Sequence, residues 1–88
     1  MPVLSMFYGI IVRMYNEKSA KHHKPHIHAE CAGKEVVVTL DGETLEGEFS
    51  PAKRRLLDAW IEIHRDELLA NWTTLSNGEG FFKVDPLK

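Results

Sequence analysis

The chain has 88 residues, one cysteine, eleven Lys+Arg against thirteen Asp+Glu, a formal charge of -2 and 43% hydrophobic residues. This length supports one compact domain and excludes two, and a single cysteine excludes both a disulfide framework and a cysteine-cluster zinc finger. No apolar run approaches the roughly 18 residues of a membrane span, and Arg13 follows the first apolar stretch where a cleavable signal would not have it, so a soluble, cytoplasmic protein in a reducing compartment is expected.

Residues 7–15 are rich in β-branched and aromatic side chains, and their alternation assigns Tyr8, Ile10, Val12 and Met14 to one face of a first strand. Residues 16–24 are polar and cationic without periodicity, which predicts an exposed loop. Pro25 lacks an N–H and suits the entry to a second strand over 26–31. Ala32-Gly33 then supplies a two-residue turn into a third strand over 34–40, which sets His26 opposite Thr39, Ile27 opposite Val38, His28 opposite Val37 and Ala29 opposite Val36. Asp41-Gly42 is a hairpin signal leading to a short fourth strand over 43–48, with Val38 opposite Leu45.

Ser50-Pro51 reads as a helix N-cap followed by N1. Ala52, Leu56, Trp60, His64, Leu68 and Trp72 recur every four residues, flanked by Leu57, Ile61 and Leu75, which predicts a helical region over 51–76 with a broad apolar stripe. Arg65-Asp66-Glu67 interrupts that stripe and predicts a bend or a restart capped by Asp66. Asn77-Gly78 ends the helix, and 80–88 is a tail in which Phe81, Phe82, Val84 and Leu87 can return as an edge strand or an anchor. The fold class is therefore α+β: an antiparallel meander of three or four strands covered on one face by the C-terminal helical region.

Four of the five histidines fall within seven residues, and His26, His28 and Glu30 share one sheet face, opposite Ile27 and Ala29. Imidazoles two residues apart on a strand, about 6.6 Å, can converge on one metal ion or one anion. Three readings follow. Arg13 lies on that same face, so His26 and His28 can serve as base and acid on an RNA 2′-hydroxyl with Arg13 stabilising the phosphate. Alternatively His22, His26 and His28 hold zinc or another divalent metal with an open fourth position. The third reading is a solvated, histidine-rich strand edge or a face covered by a partner.

Glu30 and Glu35 face each other across the hairpin, so a cation such as Arg13 or Lys34 should relieve them. Lys53-Arg54-Arg55 puts three cations in the first helical turn, where the macrodipole disfavours them. Together with Lys18, Lys21 and Lys24 they are candidates for a basic rim that binds nucleic acid or an acidic partner, the other reading being a solvated face; His22, His23 and Glu30 are further candidate binding residues. His64 and the two tryptophans lie on the apolar stripe and read as packed residues.

These residues also carry a resemblance. Phe7-Tyr8-Gly9-Ile10, Arg13-Met14-Tyr15, His22, Pro25-His26-Ile27-His28, Leu45-Glu46-Gly47, Trp60, His64, Glu67-Leu68, Asn71-Trp72 and Pro86-Leu87 resemble the small bacterial family catalogued as domain of unknown function 4160. The sequence departs from that pattern at His23, Lys24 and Cys31. The resemblance implies one half of a two-gene, toxin-antitoxin-like module, commonly beside a protein of domain of unknown function 2442. A small cognate protein is then the expected partner, RNA binding or cleavage the candidate activity, and a non-catalytic binding module or a metal-dependent hydrolase the alternatives. At this size a homodimer is a further expectation.

Overall fold

A computed structural model describes residues 2–15 and 24–88. Among them, five strands form one antiparallel sheet in sequential order: β1 (Val3–Phe7), β2 (Ile10–Arg13), β3 (His26–Cys31), β4 (Lys34–Thr39) and β5 (Thr44–Gly47). Two helices follow, α1 (Pro51–Ile63) and α2 (Arg65–Ser76). The fold is α+β as expected, with one strand more than the widest expectation and a divided helix.

The additional strand arises where 7–15 was read as continuous. Tyr8 and Gly9 both take positive φ, 49° and 80°, and make a two-residue turn that folds β1 back on β2. Tyr8 is therefore exposed in a loop instead of buried in a strand. Ile10, Val12 and Met14 are fully buried, as the alternation required.

The β3–β4 hairpin has the expected register at every position, from His26↔Thr39 to Cys31↔Lys34. Ala32 and Gly33 again adopt positive φ, which matches the right-handed twist of the flanking strands. The β4–β5 pairing differs. Val38 faces Thr44, not Leu45, and a bulge restores Val37↔Glu46. Thr39 accounts for the longer connection, because its Oγ1 accepts from the N–H groups of Asp41 and Glu43 at 3.3 and 3.1 Å. Leu45, the extra residue, is only half-buried.

The Ser50 hydroxyl accepts from Lys53 N and Pro51 occupies N1, so α1 starts where the sequence placed it. Leu57, Trp60 and Ile61 of α1 and Leu68 of α2 join Ile10, Val12, Ile27, Ala29, Val36 and Val38 in one core. Ala52, the first residue of the expected stripe, is exposed. The helix breaks at His64, whose φ of -108° leaves helical space, and Asp66 lies inside the first turn of α2 instead of capping it. There Asp66 and Glu67 complement the macrodipole.

The tail over 80–88 is an anchor. Val84 is buried and its N–H donates to the Leu4 carbonyl at 2.9 Å. Asn71, fully buried, brackets Phe82: its Nδ2 donates to the Phe82 carbonyl at 3.0 Å and its Oδ1 accepts from the Phe82 N–H at 2.9 Å. Replacing Asn71 by Ala removes both bonds at once. Since Phe82 is partly exposed, water can recover its backbone groups, and a loss of about 1–2 kcal/mol is expected in urea denaturation. The Val84 amide should lose hydrogen-exchange protection in the same variant; a Val84 amide that stays protected would show the tail is held without Asn71.

Candidate functional site

Strand parity places Arg13, His28, Glu30 and Glu35 on the sheet face opposite the core, and the registers Arg13↔His28 and Glu30↔Glu35 bring them into one cluster. Arg13 Nη1 donates to Glu30 Oε1 at 2.7 Å, so the two glutamates are relieved by the cation the sequence suggested. His28 Nδ1 lies 3.6 Å from Glu35 Oε1, and its ring stacks on Tyr15 with centroids 4.6 Å apart.

His26 differs from the expectation of an open pair. It is 3% exposed, its Nδ1 donates to the Lys24 carbonyl at 2.6 Å, and its ring lies 5.3 Å from His28 and 5.1 Å from Trp72 of α2. Tyr15, His28, His26 and Trp72 thus form a continuous aromatic row. Val37 and Thr39, which face the two histidines across the hairpin, are each 3% exposed and leave no room for a ligand beside them. Within the row His26 is buried, whereas Tyr15, His28 and Trp72 are half-buried, and the Arg13 side chain and the two glutamates reach solvent beside it.

This arrangement limits the chemistry. An acid-base pair needs both imidazoles within hydrogen-bond reach of the substrate. A phosphate arriving here would meet Glu30 and Glu35, with Arg13 already paired. Among the described residues, no three His, Cys, Asp or Glu side chains are grouped to hold a metal ion. His22 and His23, part of the metal and binding readings, lie outside the described residues.

Of the expected basic rim, Lys18 and Lys21 lie outside the described residues, and Lys53 and Arg54 are spent on internal contacts. Lys53 Nζ donates to the Tyr8 carbonyl at 2.6 Å, closing the β1–β2 turn. Arg54 reaches Asp58 at 2.9 Å, the Gly42 carbonyl at 2.8 Å and the Thr44 hydroxyl, and so ties α1 to the β4–β5 hairpin. Arg55 is exposed. Lys24 pairs with Glu43 at 3.7 Å across well-exposed side chains, a contact worth little in water. Arg65, not part of the expected rim, pairs with Asp41.

The shallow clefts lie elsewhere. One of about 300 Å³ is lined by Ile63, His64, Asp85, Pro86, Leu87 and Lys88. His64, on the apolar stripe, is half-buried, and its Nδ1 meets Glu67 Oε1 at 2.7 Å. A second cleft, about 210 Å³, runs between β1 and the tail and is lined by Val3, Leu4, Ser5, Met6, Lys83, Val84 and Pro86. Ser5 is 7% exposed, and its buried hydroxyl has no hydrogen-bond partner. The short apolar run of Val3, Leu4 and Met6 around a lone Ser5 is the signal in the sequence for this cleft.

The pattern of a histidine-bearing β3, a Gly47-terminated β5 and a Trp60–Trp72 helical region has a counterpart. The family profile described as Domain of unknown function (DUF4160) matches residues 9–73. The chain belongs to this family. The DUF4160 match covers β2 through most of α2 and therefore the whole Arg13/His28 cluster, whereas β1 and the tail fall outside it. No curated protein and no solved structure matches the chain significantly. No helix among the described residues is long and apolar enough to cross a membrane.

Proposed function

We propose that this DUF4160 protein is the protein-binding half of a two-gene, toxin-antitoxin-like module, and that it acts by holding a small cognate protein encoded beside it. The observation that carries this reading is the burial of His26 in the row from Tyr15 to Trp72, which turns the histidine pair into a packed support. Apolar side chains are available on the surface for such a partner: Met6, Tyr8, Ile63, Leu69, Phe81 and Phe82 are all exposed. Its clefts are small and shallow, better suited to side chains of a protein than to an enclosed substrate.

Regulated expression in a bacterium, with and without the neighbouring gene, tests the proposal. The expected result is a stable complex in size-exclusion chromatography and intact total RNA in both strains. Arrested growth with cleaved RNA, rescued by the neighbour and abolished by His28→Ala, would establish a nuclease instead. Zinc that raises the melting temperature of the wild type but not of His26→Ala would establish the metal centre.

A further inference from the structure

The β1–tail cleft combines three features that point to one kind of occupant. The first is an unpaired strand edge. Phe7 and Ile10 flank a two-residue turn and pair directly, so ladder alternation turns the N–H and C=O of Met6 away from β2; Leu4 sits at the bulge between Val3↔Arg13 and Ser5↔Val12, where the alternation is broken, and its carbonyl faces outward. The Leu4 carbonyl accepts from Val84, but the tail goes no further along the edge: none of 80–88 is a strand, and Pro86 has no N–H to offer. Met6 is left with outward backbone groups and a side chain 62% exposed.

The second feature is the Ser5 hydroxyl, which lines the same cleft, is buried and has no partner. Buried hydroxyls are satisfied in the great majority of folded proteins, so an orphan in a cleft wall is a position that a water fills in the free protein and a polar group of an occupant can take over. The third is charge. Among the described residues that line the cleft only Lys83 is charged, and no carboxylate among them offsets it. An extended backbone satisfies Met6, a polar atom satisfies Ser5, and an acidic side chain satisfies Lys83.

We infer that this cleft docks an extended, apolar segment of the partner protein that carries an acidic residue, adding a strand to the edge of β1. The inference rests on the protein-binding reading above and supplies its surface.

Amide hydrogen exchange on the full chain, alone and with the purified product of the neighbouring gene, tests it. Complex formation is expected to protect the amides of Met6 and Lys83, and Lys83→Glu should weaken binding at least tenfold without changing the melting temperature. Ser5→Ala separates docking from folding, because the hydroxyl bonds no other group of this chain: the free protein should melt at the same temperature or higher while binding weakens several-fold. A complex that forms with protection confined to other surfaces, and is indifferent to both substitutions, overturns the docking site and leaves the protein-binding reading intact. Protection of Met6 that rises with the concentration of this chain alone also overturns it, since the occupant is then a second copy. Absence of any complex overturns both.

Discussion

Gly47→Ala should destabilise the protein by about 3 kcal/mol or more, a large share of the roughly 4–13 kcal/mol that a domain of this length holds in total. Gly47 closes β5 opposite Val36 with φ of 73°. A Cβ built there would lie 2.0 Å from the Glu35 carbonyl oxygen and 3.0 Å from its carbonyl carbon. Both atoms are backbone of a paired strand, so no rotamer change relieves the contact. The alternatives are to move β5 off β4 or to leave the left-handed conformation, and either breaks the edge of the sheet. Gly33→Ala provides the control, since its φ of 79° carries the same conformational cost while nothing lies within 4 Å of the added methyl. Gly33→Ala should therefore cost only about 1 kcal/mol. Thermal melts should differ by at least about 8 °C between the two variants, at about 4–8 °C per kcal/mol for a domain of this size. Equal melting temperatures would show that β5 leaves the sheet at no cost and that its edge is not fixed.

The parts of the fold legible in the sequence are those where local chemistry and long-range packing agree. Ala32-Gly33 demanded a tight turn, and the alternation of Ile27 and Ala29 against Val36 and Val38 demanded the same register, so β3–β4 follows residue for residue. At the next hairpin a side chain intervened: Thr39 accepts two backbone N–H groups, lengthens the turn, and displaces Leu45 into a bulge. Tyr8-Gly9 hid a turn inside an aromatic, β-branched run, because a tyrosine with positive φ is not signalled by its own propensity. The glycine beside it was the available cue. For the site, parity correctly grouped Arg13, His28 and Glu30, and charge repulsion correctly foretold the Arg13–Glu30 pair. Burial of His26 was not legible, because it depends on Trp72, forty-six positions away, arriving on the ring through the break at His64. Ser5 and Lys83 escaped for the same reason: only the return of the tail to Leu4 brings them together.

Trp60→Ala should cost about 3–5 kcal/mol, the usual range for truncating a buried aromatic, and should release the tail as well as loosen the core. The indole is fully buried, lies 5.2 Å from the Phe7 ring and 5.6 Å from His64, and donates from Nε1 to the Asp85 carbonyl at 2.8 Å. It therefore links α1, the end of β1, the helix break and the tail through one side chain. Truncation leaves a cavity that backbone elements on several sides would have to close, and so little relaxation is available. Trp60→Phe divides the effect. It retains most of the ring packing and removes the hydrogen bond to Asp85, for an expected loss of about 1–2 kcal/mol beyond the small volume change. Amide exchange should then show a weakened Val84 with Val36–Thr39 unaffected in Trp60→Phe, whereas Trp60→Ala lowers protection in both. If the tail serves as one wall of a docking cleft, Trp60→Phe should also weaken partner binding although Trp60 touches no partner. A Trp60→Phe variant that frees Val84 yet binds as tightly as the wild type would show that the tail holds its place on β1 through Asn71 and Leu4 alone.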